Sequence, residues 1–156
     1  MMNEYLQEAK EELKRVDHII YVSLKYTRTV DIIRNAIHRL VSALDFIIEG
    51  ILWYNKQQKK TSEVPQSFKM KIEALRGLYP GDEKLGTYID FYLFLRELAA
   101  APYDRREEYR RYVTMISKLE NKTAEIDIDA LEDNFDVLAK EFLDYAEVLT
   151  GVAPVD

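Results

Sequence analysis

Leu6, Ala9, Leu13, Val16 and Ile20 recur at alternating steps of three and four residues, the spacing that lines one face of an α-helix with apolar side chains. The pattern predicts a helix from about Asn3 to Tyr26. A second run through Val30, Ile37, Val41, Leu44, Ile48 and Ile51 predicts another from about Val30 to Asn55, and its apolar density marks it as the centre of a bundle. Thr29 is placed to cap its start, with Asp31 in the first turn where the helix dipole favours a negative charge. Because the heptad carries on from the first run into the second, one long bent helix is the alternative at this point.

Beyond Asn55 the polar, basic stretch "NKQQKKTSEVPQ" reads as an exposed loop closed by Pro65. Phe68, Ile72 and Leu75 predict a short helix that Gly77 ends in the left-handed conformation, and "LYPGDEKLG" predicts a turn around Pro80 and Gly81. "TYIDFYLFLRELAAA" reads as a helix capped by Thr87, with Asp90 in the reciprocal position, stopping before Pro102. "PYDRREEYRRYVTMISKLENK" reads as a further helix, capped by Asp104 and turning Tyr109, Tyr112, Val113, Ile116 and Leu119 inward. In the last helix, Asp129 and Glu132 form a capping box, and Leu131, Phe135, Leu138, Phe142, Tyr145 and Leu149 form the seam before Gly151. Only "EIDID" alternates as a strand does, and it is short. The expected fold is all-α, a single antiparallel bundle of five or six helices over residues 1–156, with a flexible tail at 152–156.

With 156 residues, 47% hydrophobic and 32% charged, the chain suits one globular domain and not a disordered one. It has no cysteine, which removes disulfides, thiolate metal sites and cysteine nucleophiles together. The N-terminal "MMNEYLQEAKEELKR" has no apolar core of the signal-peptide kind. "VSALDFIIEGILWY" is interrupted by Asp45 and Glu49 and falls short of a membrane span of about 18 apolar residues. A cytoplasmic protein without membrane association is expected. The net charge of −6 is uneven: Ala124 onward holds ten acids and one base, Lys140, and carries −9, whereas residues 1–123 carry +3 from 18 acids and 21 bases. An acidic C-terminal segment of this kind covers a basic surface or keeps the protein soluble.

On the second predicted helix, Asp31, Arg34, Asn35, His38, Ser42, Asp45 and Glu49 fall within about a third of the circumference. Such a stripe faces solvent, a polar cavity or a partner. Within it Arg34 and His38 stand one turn apart, and together they supply a rigid phosphate fork and a proton carrier near neutral pH, as an RNA-cleaving site needs. They are the candidate catalytic residues. A metal centre built from His38, Asp45 and Glu49 needs ExxH pairs, and the other histidine, His18, follows Arg15 in place of a glutamate. No metal and no cofactor is expected, and Gly-rich phosphate loops, GxSxG and HExxH are all missing from the sequence.

The Arg-Asn start and the histidine of "RNAIH" resemble the motif of the HEPN family, small helical bundles many of which are ribonucleases. The resemblance covers at most the hairpin from about Asn3 to Tyr54 and implies an RNA-processing or RNA-binding role in which Arg34 holds phosphate and His38 acts as acid or base. Three residues separate Arg34 from His38, fewer than in that family's motif, and the pair lies early in the chain, not late. "VSLKYTRTVDIIRNAIHRLVSALDFIIEGIL" also resembles archaeal helical-bundle proteins of unknown function, which implies a fold and no activity.

"YDRREEYRRY" interleaves Arg105, Arg106, Arg110 and Arg111 with Tyr103, Tyr109 and Tyr112, a pattern able to present cations and rings to single-stranded RNA. On a helix, however, Glu107 and Glu108 would pair with Arg110 and Arg111 and satisfy the charges locally. The aromatic run 88–94 reads as core or as the lining of an apolar pocket. Trp53 and Tyr54 are the candidate interface anchors. The expected role is a non-catalytic module acting through self-association or a protein partner, with HEPN-like RNA processing as the alternative.

Overall fold

The computed structural model describes residues 3–152. Its helix α1 (Glu4–His18) starts where the Asn3 side chain accepts the Tyr5 N–H, and runs on through a π-helical stretch, Ile19–Ser23, and a last turn, Leu24–Tyr26. Thr27 is extended, and the Thr29 hydroxyl accepts the Ile32 N–H at 3.4 Å to begin α2 (Val30–Gln57). The first two runs are therefore separate helices. α3 (Phe68–Leu78), α4 (Glu83–Ala100) and α5 (Asp136–Leu149), the last preceded by a second π-helical stretch, Ala130–Phe135, complete five helices among the described residues.

α2 touches every other helix and the sheet, as its apolar density predicts. α1 lies antiparallel to it: Asn3 Nδ2 donates to the Gly50 carbonyl at 2.8 Å, and Glu12 meets Arg39 two turns further along. Gly50 is required at this crossing, because a Cβ there would stand 2.8 Å from Leu6 Cδ2. α4 and α5 are also antiparallel, joined by the Tyr88 and Phe142 rings stacked at 5.0 Å and by Phe91 against Phe135. Tyr88, Phe91 and Tyr92 are buried, so the aromatic run is core.

Residues 103–126 correct the all-α expectation. They form a three-stranded antiparallel sheet in the order β1 (Tyr103–Arg106), β2 (Thr114–Lys118) and β3 (Thr123–Ile126), with Tyr103 opposite Ser117 and Met115 opposite Ile126. Val113, Ile116 and Leu119 fit a helical step of three, but Val113, Met115, Ser117 and Leu119 also alternate, and these four are buried, as is Thr114, whereas Ile116 is half-buried. β-branched residues at Val113, Thr114 and Ile116 and the turn at Asn121 favour the hairpin once α2 offers an apolar wall to β2. Tyr109 and Tyr112, expected inward, are 76% and 63% exposed, and Asp104 caps nothing but pairs across the ladder with Lys118 at 3.0 Å.

Three boundaries also move. Asp82, not Thr87, caps α4, its Oδ1 accepting the Leu85 N–H at 3.0 Å, and α4 starts a turn earlier. α3 continues past Gly77 to Leu78, and the left-handed residue of the turn is Gly81. Ala130 N–H bonds to Asp127, leaving Asp129 free of any capping bond. Of the tail expected at 152–156, residues 153–156 lie outside the described residues.

Candidate functional site

The loop between β1 and β2 folds back onto the turn between α1 and α2. Glu108 Oε2 accepts the Val30 N–H at 3.0 Å, satisfying a donor at the start of α2, and Tyr109 N–H donates to the Arg28 carbonyl at 2.6 Å. Arg105 clamps the junction, 2.9 Å from Asp31 and 3.2 Å from Glu108. To close this loop Glu107 and Tyr109 adopt φ of 52° and 68°. For residues with a Cβ this left-handed conformation costs about 1–2 kcal/mol each, which the docking bonds offset.

The docked loop holds its rings outward. Tyr26, on the last turn of α1 and two residues before the Arg28 carbonyl that the Tyr109 N–H bonds, is 81% exposed, and Tyr109 and Tyr112 are exposed as well. Arg111 reaches across to Asp129 at 2.8 Å and so ties the loop to the second π-helical stretch. At the same end Lys140 stands 2.9 Å from both Asp17 and Asp136 and joins α5 to α1 beside the first π-helical stretch, which exposes Tyr21 and Val22. Both π-helical stretches of the described chain thus flank one end of the molecule, and such distortions of a helix recur at functional sites. Asp136 is buried and its Oδ1 has no hydrogen-bond partner. Burial, reinforced by the neighbouring Asp17 carboxylate, pushes its carboxyl up to about 6 against the pull of Lys140.

The polar stripe of α2 is divided among three environments. At its start Asp31 pairs with Arg105, and Arg34 donates to the Ala99 carbonyl at 3.1 Å while its guanidinium covers the Tyr103 ring at 5.1 Å. In the middle Asn35 and His38 are exposed and Ser42 is half-buried. The histidine pKa is lowered by partial burial and by the Arg34 charge. At its far end Asp45 accepts a hydrogen bond from the buried Tyr92 hydroxyl, which also accepts one from Arg96 at 3.2 Å, and Glu49 pairs with Lys71. Asp45, Lys71, Tyr92 and Arg96 edge a cleft of about 330 Å³ between α2, α3 and α4. Arg34 and His38 are brought together by the helix alone, and the remaining stripe residues do not converge on them.

Trp53 and Tyr54 stand at the opposite end, on a cleft of about 490 Å³ beside Asn3 and Thr150, with Lys56 over the Trp53 ring at 5.0 Å. Among the described residues no three His, Asp or Glu side chains stand close enough to hold a metal, and no helix is long and apolar enough to cross a membrane. Sequence reading missed Tyr21, Lys25, Tyr26 and Arg28 as surface residues; the signal was "KYTR", cations and a ring with no apolar partner, just ahead of the Thr29 cap.

Comparison with protein-family models, with curated proteins and with solved structures finds no match to this chain.

Proposed function

We propose that the chain is a cytoplasmic, non-catalytic interaction module, a single antiparallel helical bundle whose tyrosine-rich end seats another protein surface. The observation that carries this is the gathering of exposed rings. Tyr21, Val22, Tyr26, Tyr109, Tyr112 and Val137 belong to this end, and they are six of the nine large apolar side chains exposed on the described surface. Apolar side chains collected in one exposed patch with a polar rim mark contact sites, and tyrosine with arginine is the composition of interface cores. A loop already held by hydrogen bonds also loses little conformational freedom on binding.

The test is a comparison of wild type with the triple variant Tyr26→Ser, Tyr109→Ser, Tyr112→Ser, each immobilised and exposed to extract of the source cells, with retained proteins quantified by mass spectrometry. Loss of specific proteins by a variant whose circular dichroism is unchanged supports the reading. An identical retained set for both proteins refutes it.

A second reading, HEPN-like RNA processing by Arg34 and His38, has one observation in its favour. The lowered pKa of the exposed His38 keeps it neutral near pH 7, one turn from a guanidinium, as a general base requires. Against it, Arg34 already spends a donor on Ala99 and a face on Tyr103. Cleavage of a mixed RNA pool by wild type, lost in a folded His38→Ala, would support it, and no cleavage by wild type ends it.

A further inference from the structure

Accepting that the tyrosine-rich end is a contact surface, we infer that its occupant is a second copy of this chain, related by a two-fold axis. The argument rests on how charge is distributed across the patch. On the side of the α1–α2 turn, Lys25, Arg28 and Arg110 form no ion pair among the described residues, and the one acid there without a pair is Glu107. On the side of the second π-helical stretch, Glu132 and Asp133 likewise form no ion pair. Between the two sides lies the Arg111 to Asp129 bridge, and the tyrosines stand along the patch, Tyr26 and Tyr109 on its basic side and Tyr21 near Glu132.

A patch with unsatisfied cations at one side, unsatisfied carboxylates at the other and rings along it is complementary to itself when turned through half a circle. An isologous interface has this requirement: what the first half contributes, the second half receives. A partner of single charge would satisfy one side and bury like charge against the other, an arrangement that disfavours the complex. A standard interface takes about 800 Å² from each partner, about a tenth of the surface of a small protein, and the exposed surface here is 8930 Å².

The experiment uses two charge-reversed proteins. The first carries Lys25→Glu and Arg110→Glu, the second Glu132→Lys and Asp133→Lys; all four positions lie on the surface, and circular dichroism checks that each variant folds. Molar mass is measured by light scattering across a concentration series reaching about 100 μM, a range that detects dissociation constants in the micromolar region. Wild type is expected to be a dimer, each variant alone to dissociate at least ten-fold more readily, and an equimolar mixture of the two to recover a heterodimer, since each reversed half then faces a reversed half. A monomeric wild type overturns the inference, as does a dimer that neither variant weakens or a mixture that fails to recover. A monomeric wild type combined with specific proteins lost by the tyrosine variant would leave the contact surface standing and remove only the second copy as its occupant.

Discussion

Asp136 offers the sharpest physical prediction, because its environment opposes its charge. Its carboxyl, buried and with Oδ1 unbonded, is pushed up to about 6 from an ordinary 3.8. Charged groups face it from α5 and α1, Lys140 and Asp17, with Glu132 and the Tyr21 hydroxyl close by. The folded state therefore holds this proton more tightly than the unfolded chain does, and its contribution to stability grows as pH falls through about 6. The linkage relation gives a gain of roughly 1 kcal/mol between about pH 7 and pH 5, and up to roughly 3 kcal/mol once both states are protonated. Asp136→Asn removes the titration while keeping the shape, so it should lack this slope and match or exceed wild type near pH 7, where Lys140 keeps Asp17 as a partner. Urea unfolding at a series of pH values from about 7 to 5 measures both proteins. An equal slope in the asparagine variant would refute the reasoning, because the difference between the two proteins isolates Asp136 from His38, whose lowered pKa contributes the opposite slope in that window.

Three further outcomes are expected. Gly50→Ala should lower stability by about 1 kcal/mol, measured by thermal unfolding, because its Cβ displaces the buried Leu6 at the α1–α2 crossing. Glu108→Ala should cost about 1 kcal/mol in the same measurement, since it strips the Val30 N–H of its acceptor and Arg105 of one of its two carboxylates. Tyr109→Gly should separate stability from binding: it relieves a left-handed residue with a Cβ and so should leave unfolding unchanged or raise it by up to about 1 kcal/mol, while weakening self-association seen by light scattering. Reduced stability in that variant would show that the ring packs as well as displays.

The helices were legible because their signals are local. The three- and four-residue spacing of Leu6 to Ile20 and of Val30 to Ile51, and the side-chain cap at Thr29, act within a turn or two of where they are read. Burial of the aromatic run at 88–94 follows the same logic. Asp31 and Arg34 were visible as polar positions on α2, but what they do there depends on Arg105, Ala99 and Tyr103, which approach from far along the chain.

Residues 103–126 show where local reading stops. The segment carries a helical step, Val113, Ile116 and Leu119, and a strand alternation, Val113, Met115, Ser117 and Leu119, at once, and the choice between them falls to a wall of apolar side chains on α2 that the segment cannot encode. Taken as a helix, "YDRREEYRRY" pairs its charges internally and turns Tyr109 and Tyr112 inward. Folded as a hairpin loop bonded to Val30 and Arg28, it spends Glu108 and Arg105 on docking and turns those rings outward at the α1–α2 turn. Helix positions were thus settled by short-range spacing and capping, whereas the exposed tyrosine end exists only because hydrogen bonds across some eighty residues of chain hold a strained loop against the α1–α2 turn.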